Sequence, residues 1–115
     1  LNIKESAKKI VLKLEEGEPM MTTVVHLSEV ANIMETRMLA RDALEVLSSI
    51  MFLEKLSILG SSGEAYRSAL SAAEMLELGV NDALAYLAMK ENSLTELYSF
   101  DRDYDKLGDV KRITE

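Results

Sequence analysis

Residues 79–101 read GVNDALAYLAMKENSLTELYSFD, and this stretch decides the architecture. Asn81 to Asn92 is rich in Ala and Leu and predicts a helix, with Gly79 just ahead of it. Leu94 to Phe100 is shorter, carries Thr, Tyr and Phe, and predicts a strand. One acid, Asp82, opens the helix, and another, Asp101, follows the strand. At 1.5 Å per residue the helix runs about 18 Å outward, and six residues of strand return about 20 Å. The two legs nearly cancel, so both carboxylates are expected at one edge of the molecule.

The same alternation extends in both directions. In Ser6 to Glu16, Ala7, Ile10, Val11 and Leu14 recur at helical spacing, and Gly17 is a natural stop. After Pro19, Met20 to Val25 is short and apolar with β-branched residues, which suits a strand buried on both faces. A helix follows at once, with Ser28 as its cap and Val30, Ile33 and Met34 as its buried stripe. Asp42 to Phe52 repeats the helical pattern through Leu44, Leu47 and Met51. Leu56 to Leu59 reads as a strand ended by Gly60-Ser61-Ser62-Gly63, and Glu64 to Leu78 is an Ala-rich helix running up to Gly79. Val110 to Ile113 closes the set as a short edge strand. Strands separated by helices predict an α/β fold in three layers, α/β/α, with a mostly parallel sheet covered on both faces. With no repeat or linker in its 115 residues, the chain is expected to form one domain, 1–115.

Composition narrows the function classes. Apolar residues make up 48% and charged residues 29%, the balance of a folded globular chain. The absence of cysteine excludes a disulfide framework and a thiolate zinc site and points to the cytoplasm. No apolar run reaches the roughly 18 residues of a membrane span. A net charge of -7 disfavours broad, non-specific nucleic-acid binding, yet clustered carboxylates that await a divalent cation make an apo nuclease look acidic.

In a parallel sheet, ligands bind beyond the carboxyl ends of the strands. Three acids fall there: Glu29 after the strand from Met20, Asp82 at a helix start, and Asp101 after Phe100. Three carboxylates brought together repel one another unless a cation compensates. Magnesium and manganese prefer such hard oxygen ligands and keep waters, one of which can attack phosphorus.

The residues that carry these acids resemble the PIN domain, especially its small toxin-type (VapC-like) ribonucleases. The carriers are His26-Leu27-Ser28-Glu29-Val30-Ala31-Asn32, Val80-Asn81-Asp82-Ala83-Leu84-Ala85 and Tyr98-Ser99-Phe100-Asp101-Arg102-Asp103-Tyr104. The resemblance implies a Mg2+- or Mn2+-dependent endoribonuclease that hydrolyses RNA phosphodiester bonds. It further implies that Glu29, Asp82 and Asp101 are catalytic metal ligands, Asp103 an auxiliary ligand and Ser99 a hydroxyl that orients the site. By the same resemblance the protein is expected to be a homodimer and the toxin of a toxin-antitoxin pair, with an antitoxin protein as partner. Members of the family usually open with a central strand ending in Asp, and this chain opens at Leu1-Asn2 without one. The expectation is therefore a domain whose first strand and first Asp lie outside the chain. The competing expectation is a catalytically silent PIN-like interaction or structural module.

Plainer roles stand beside these. Glu29 and Asp82 could each favour the positive end of a helix dipole, an effect of about 0.3 to 1 kcal/mol, and Asp101 to Asp105 could be a solvated loop. His26 is expected to be structural: it precedes Glu29 by too little to share its helix face, and hydrolysis with two cations does not require it. The seven methionines sit mostly at periodic apolar positions and suit core filling. Lys8, Lys9, Lys13, Arg37, Arg41 and Arg102 are expected to be solvated, with the arginines available to RNA phosphates.

Overall fold

The computed structural model describes residues 3–115. Five helices and four strands follow in the order α1 (Ile3–Glu15), β1 (Met20–Thr23), α2 (Val24–Arg37), α3 (Ala40–Met51), β2 (Leu56–Leu59), α4 (Gly63–Leu76), α5 (Val80–Glu91), β3 (Glu96–Tyr98) and β4 (Lys111–Ile113), with a 3-10 turn at Arg102–Lys106. Each predicted helix and strand is present, and both strand pairings are parallel. The architecture is α/β, as the alternation of elements requires.

The strands form two separate pairs. β1 pairs with β2 in the register Met20 to Leu56 and Thr23 to Leu59, and β3 pairs with β4 in the register Glu96 to Lys111 and Tyr98 to Ile113. Each pair satisfies only its inner row of backbone groups. Among the described residues no third strand takes up the outer row of either.

The chain divides into two compact units. One comprises α1 as far as Lys13 together with Ser62–Glu115, and the other is Leu14–Ser61. In the first, α4 packs along α5, and Ala69 and Ala83 are completely buried, as close helix packing demands of small side chains. Leu78, Tyr104 and Leu107 form a core cluster with Leu76, Tyr86, Leu97 and Val110 packed around it. The second unit holds β1, α2, α3 and β2, with Ala43 and Thr23 buried.

Two sequence expectations fail in this second unit. The strand at Met20 ends at Thr23, not Val25, and the cap of α2 is Thr23, not Ser28. The Thr23 hydroxyl accepts the His26 N–H at 3.1 Å, so Val24 and Val25 become the first turn of the helix despite their β-branched side chains. The apolar stripes are also less covered than their spacing implies. Val30 and Ile33 on α2 and Leu44 and Met51 on α3 are all exposed, because a two-strand ribbon offers too little surface to cover two helix faces.

The ends of α4 and α5 correct a third expectation. Gly79 was expected to stop the helix before it, but the left-handed residue is Glu77, at φ 55. The Leu78 N–H then reaches back to the Ala73 carbonyl at 3.1 Å and closes α4. Gly79 is extended and caps α5 from its N-terminal side. A Cβ there would lie 3.7 Å from Asp82 Oδ2, an ordinary van der Waals distance.

Candidate metal centre

Asp82 stands in the first turn of α5, where the helix dipole favours an anion. Its carboxylate does not float: the Tyr104 hydroxyl donates to Oδ1 at 3.0 Å. Asp101 lies just beyond β3 and caps the 3-10 turn, its Oδ1 accepting the Asp103 N–H at 2.9 Å. The Asp101 N–H in turn donates to Ser99 Oγ at 3.1 Å. These interlocked local bonds are what short polar side chains do where backbone donors would otherwise lack partners.

The result is a convergence of Asp82, Asp101 and Asp103. Each offers a carboxylate oxygen, and the three oxygens lie within 4.8 Å of one another. Asp82 is half-buried, while Asp101 and Asp103 are exposed. Asp82 and Asp101 do meet at one edge, although the returning strand is only Glu96–Tyr98 rather than Leu94–Phe100, the remainder of the return being irregular chain.

Glu29 occupies α2 of the other unit, with a side chain about half exposed. Because α2 starts at Val24, Glu29 lies in its second turn, beyond the reach of a first-turn dipole effect. The same early start corrects the reading of His26. It lies inside the helix, three residues before Glu29, and the pair does share a face: His26 Nε2 is 4.0 Å from Glu29 Oε1. The other ring nitrogen, Nδ1, is 2.7 Å from Thr23 Oγ, so the histidine braces the cap of α2.

Two further residues shape the acidic turn. Tyr104 is 4% exposed and anchors the turn in the core cluster. Arg112, on β4, forms a two-pronged ion pair with Asp105, Nε to Oδ1 at 2.9 Å and Nη2 to Oδ2 at 3.2 Å, and its Nη1 donates to the Ser99 carbonyl at 3.3 Å. The Asp105 hydrogen bond raises Arg112 above its ordinary value, with the Asp101 charge adding to the effect, and Arg112 holds Asp105 below the usual carboxylate value. Tyr104 was visible in the sequence only as a neighbour of the acids. Nothing in the local sequence marks Arg112, whose partners are seven and thirteen residues away.

Comparison with known proteins bears on the whole chain. The PIN domain family model matches residues 2–110. A search of curated proteins finds no match. Among solved structures, the chain is similar to Mycobacterium tuberculosis VapC20, a toxin that cleaves the sarcin-ricin loop, with a TM-score of 0.72 and 20% sequence identity over 91% of this chain and 81% of that one. At that identity the likeness is one of fold.

Proposed function

This chain belongs to the PIN domain family, and on that premise we propose that it serves as a metal-dependent endoribonuclease. The observation that carries the reading is the convergence of carboxylate oxygens from Asp82, Asp101 and Asp103 within 4.8 Å. Three carboxylates held this close repel one another unless a cation sits among them, so their grouping suits a divalent ion. The donor set fits as well, since hard divalent cations select oxygen. When bound, Mg2+ or Mn2+ supplies Lewis acidity toward the phosphodiester and lowers the pKa of water for attack.

The chain's own residues divide the remaining work. Asp82 and Asp101 would hold the cation, and Asp103 would add a ligand oxygen from the turn that Asp101 caps. Glu29, expected as a further ligand, lies on α2 of the other unit and is not one of the three acids whose oxygens converge. Ser99 orients the centre through the Asp101 backbone, the contact its hydroxyl makes. RNA is the proposed substrate, supported by the fold likeness to a toxin that cleaves the sarcin-ricin loop. From the family resemblance of its motifs we further propose that it is the toxin of a toxin-antitoxin pair, a homodimer in the cytoplasm with an antitoxin protein as partner. Among the described residues, no helix is long and apolar enough to cross a membrane.

The test is direct. Purified protein should cleave single-stranded or structured RNA with added Mg2+ or Mn2+, and Asp82→Asn should abolish cleavage while keeping the fold. Unchanged cleavage in that variant would sink the site assignment. Saturable Mn2+ binding lost in Asp101→Asn supports the enzyme, and absence of binding in the parent protein supports the silent module.

A further inference from the structure

We propose that Arg112 is a positioning residue that sets the spacing of Asp101 and Asp103; this rests on reading the acidic centre as a cation site. The segment from Ser99 to Asp105 carries both acids, and the guanidinium grips it at its two ends. Nη1 holds the Ser99 carbonyl at 3.3 Å before the acids, and Nε and Nη2 hold the Asp105 carboxylate at 2.9 and 3.2 Å after them. No donor of lysine could do this, because an ammonium is a point charge without a rigid fork.

The grip is anchored in the sheet. Arg112 is the register partner of Leu97 in the β3–β4 pair, and the Ser99 N–H extends that pairing to the Ile113 carbonyl at 3.2 Å. The Arg112 side chain is 17% exposed, against 55% for Asp105, so the cation is the fixed member and the acid is drawn to it. Between the two grips Asp101 and Asp103 are exposed, and three aspartates within five residues repel one another. Arg112 opposes that repulsion with one positive charge and fixes the length the turn must span. Asp101 and Asp103 therefore inherit their separation from β4, an element that carries none of the ligands.

The experiment measures Mn2+ binding by titration calorimetry, thermal unfolding, and RNA cleavage across a range of Mn2+ concentrations. It compares the full chain with Arg112→Lys, Asp105→Asn, Asp101→Asn and Lys90→Gln. Lys90 pairs with Asp109, away from the gripped segment, so its variant reports the effect of general loosening. The expected result is Mn2+ affinity roughly tenfold weaker in Arg112→Lys and in Asp105→Asn, the scale seen when residues behind metal ligands are changed. Cleavage by both should recover at saturating Mn2+, and Lys90→Gln should bind as the parent does.

Parent-like Mn2+ affinity in both Arg112→Lys and Asp105→Asn overturns the positioning role and leaves the cation site standing. Equal loss of affinity in Lys90→Gln at matched unfolding temperature overturns it too, by making the effect one of stability. If the parent binds no Mn2+, or Asp101→Asn binds as the parent does, the cation site itself fails and the proposal falls with it.

Discussion

The Tyr104 hydroxyl donates a 3.0 Å hydrogen bond to Asp82 Oδ1, which joins the turn carrying Asp101 and Asp103 to the first turn of α5. Tyr104 is buried beside Leu78 and Leu107, so the orientation of Asp82 is set from the core rather than from solvent. Tyr104→Phe keeps the ring packed and removes only the bond. A hydrogen bond to a charged group contributes about 1.5 to 3 kcal/mol, and partial exposure of Asp82 places the expected loss of unfolding free energy near the lower figure. Urea denaturation should show this loss, and calorimetry should show Mn2+ affinity reduced several-fold.

Asp101→Asn separates the observed capping role of Asp101 from its proposed role as a cation ligand. Asn caps a turn about as well as Asp, so its side-chain oxygen can still accept the Asp103 N–H. Stability should change by less than about 0.5 kcal/mol. Cleavage should nevertheless fall by roughly two orders of magnitude, because a neutral amide is a poor ligand for a cation that contributes several kcal/mol in the transition state. Circular dichroism melts and RNA cleavage assays on one preparation check both halves.

Removing the metal should stop cleavage reversibly and lower the unfolding temperature. A cation present at a hundred times its dissociation constant stabilises the folded state by about 2.7 kcal/mol if it binds only that state. Chelation with EDTA should reverse the gain, and Asp82→Asn should show little of it. A melting temperature in the parent protein that ignores Mn2+ would count against the centre.

Acid should weaken the fold through two surface pairs. The Lys90 ammonium, aided by the Tyr86 hydroxyl, holds Asp109 below the usual carboxylate value of 3.8, and Arg112 does the same for Asp105. A carboxyl depressed by folding contributes stability that is present above its unfolded value and lost as pH falls through the folded one. Lys90 is raised above 10.5, chiefly by Asp109, so its share is present below that value and lost at higher pH. Urea midpoints should therefore fall as pH drops below about 4, and Asp109→Asn should flatten the decline.

Thr23→Ala should cost about 1 to 2 kcal/mol, because it removes a buried cap on α2 together with the support of His26 Nδ1. Thr23→Ser should retain most of that stability. Chemical denaturation of the two variants makes the comparison.

Much of this was legible in the residues. The helical spacing of Ala7, Ile10, Val11 and Leu14, the apolar run Leu56 to Leu59 and the Ala-rich stretch after Gly63 place α1, β2 and α4 within a few residues of their observed bounds. The junction at Thr23 was not legible in this way. Its β-branched neighbours Val24 and Val25 favour a strand locally, and the capping bond to His26 outweighs that preference.

The sequence by itself determined the α/β alternation and the return of Asp82 and Asp101 to one edge, because helix rise and strand rise are properties of the backbone that any sequence inherits. It also placed Asp103 beside Asp101 through simple adjacency. Only the tertiary structure decided that Tyr104 holds Asp82 and that Arg112 grips Ser99 and Asp105. Those contacts depend on which side chains meet across α5, the 3-10 turn and β4. Periodicity reports which face of an element is apolar, whereas a specific hydrogen bond depends on the register and approach of elements distant in sequence.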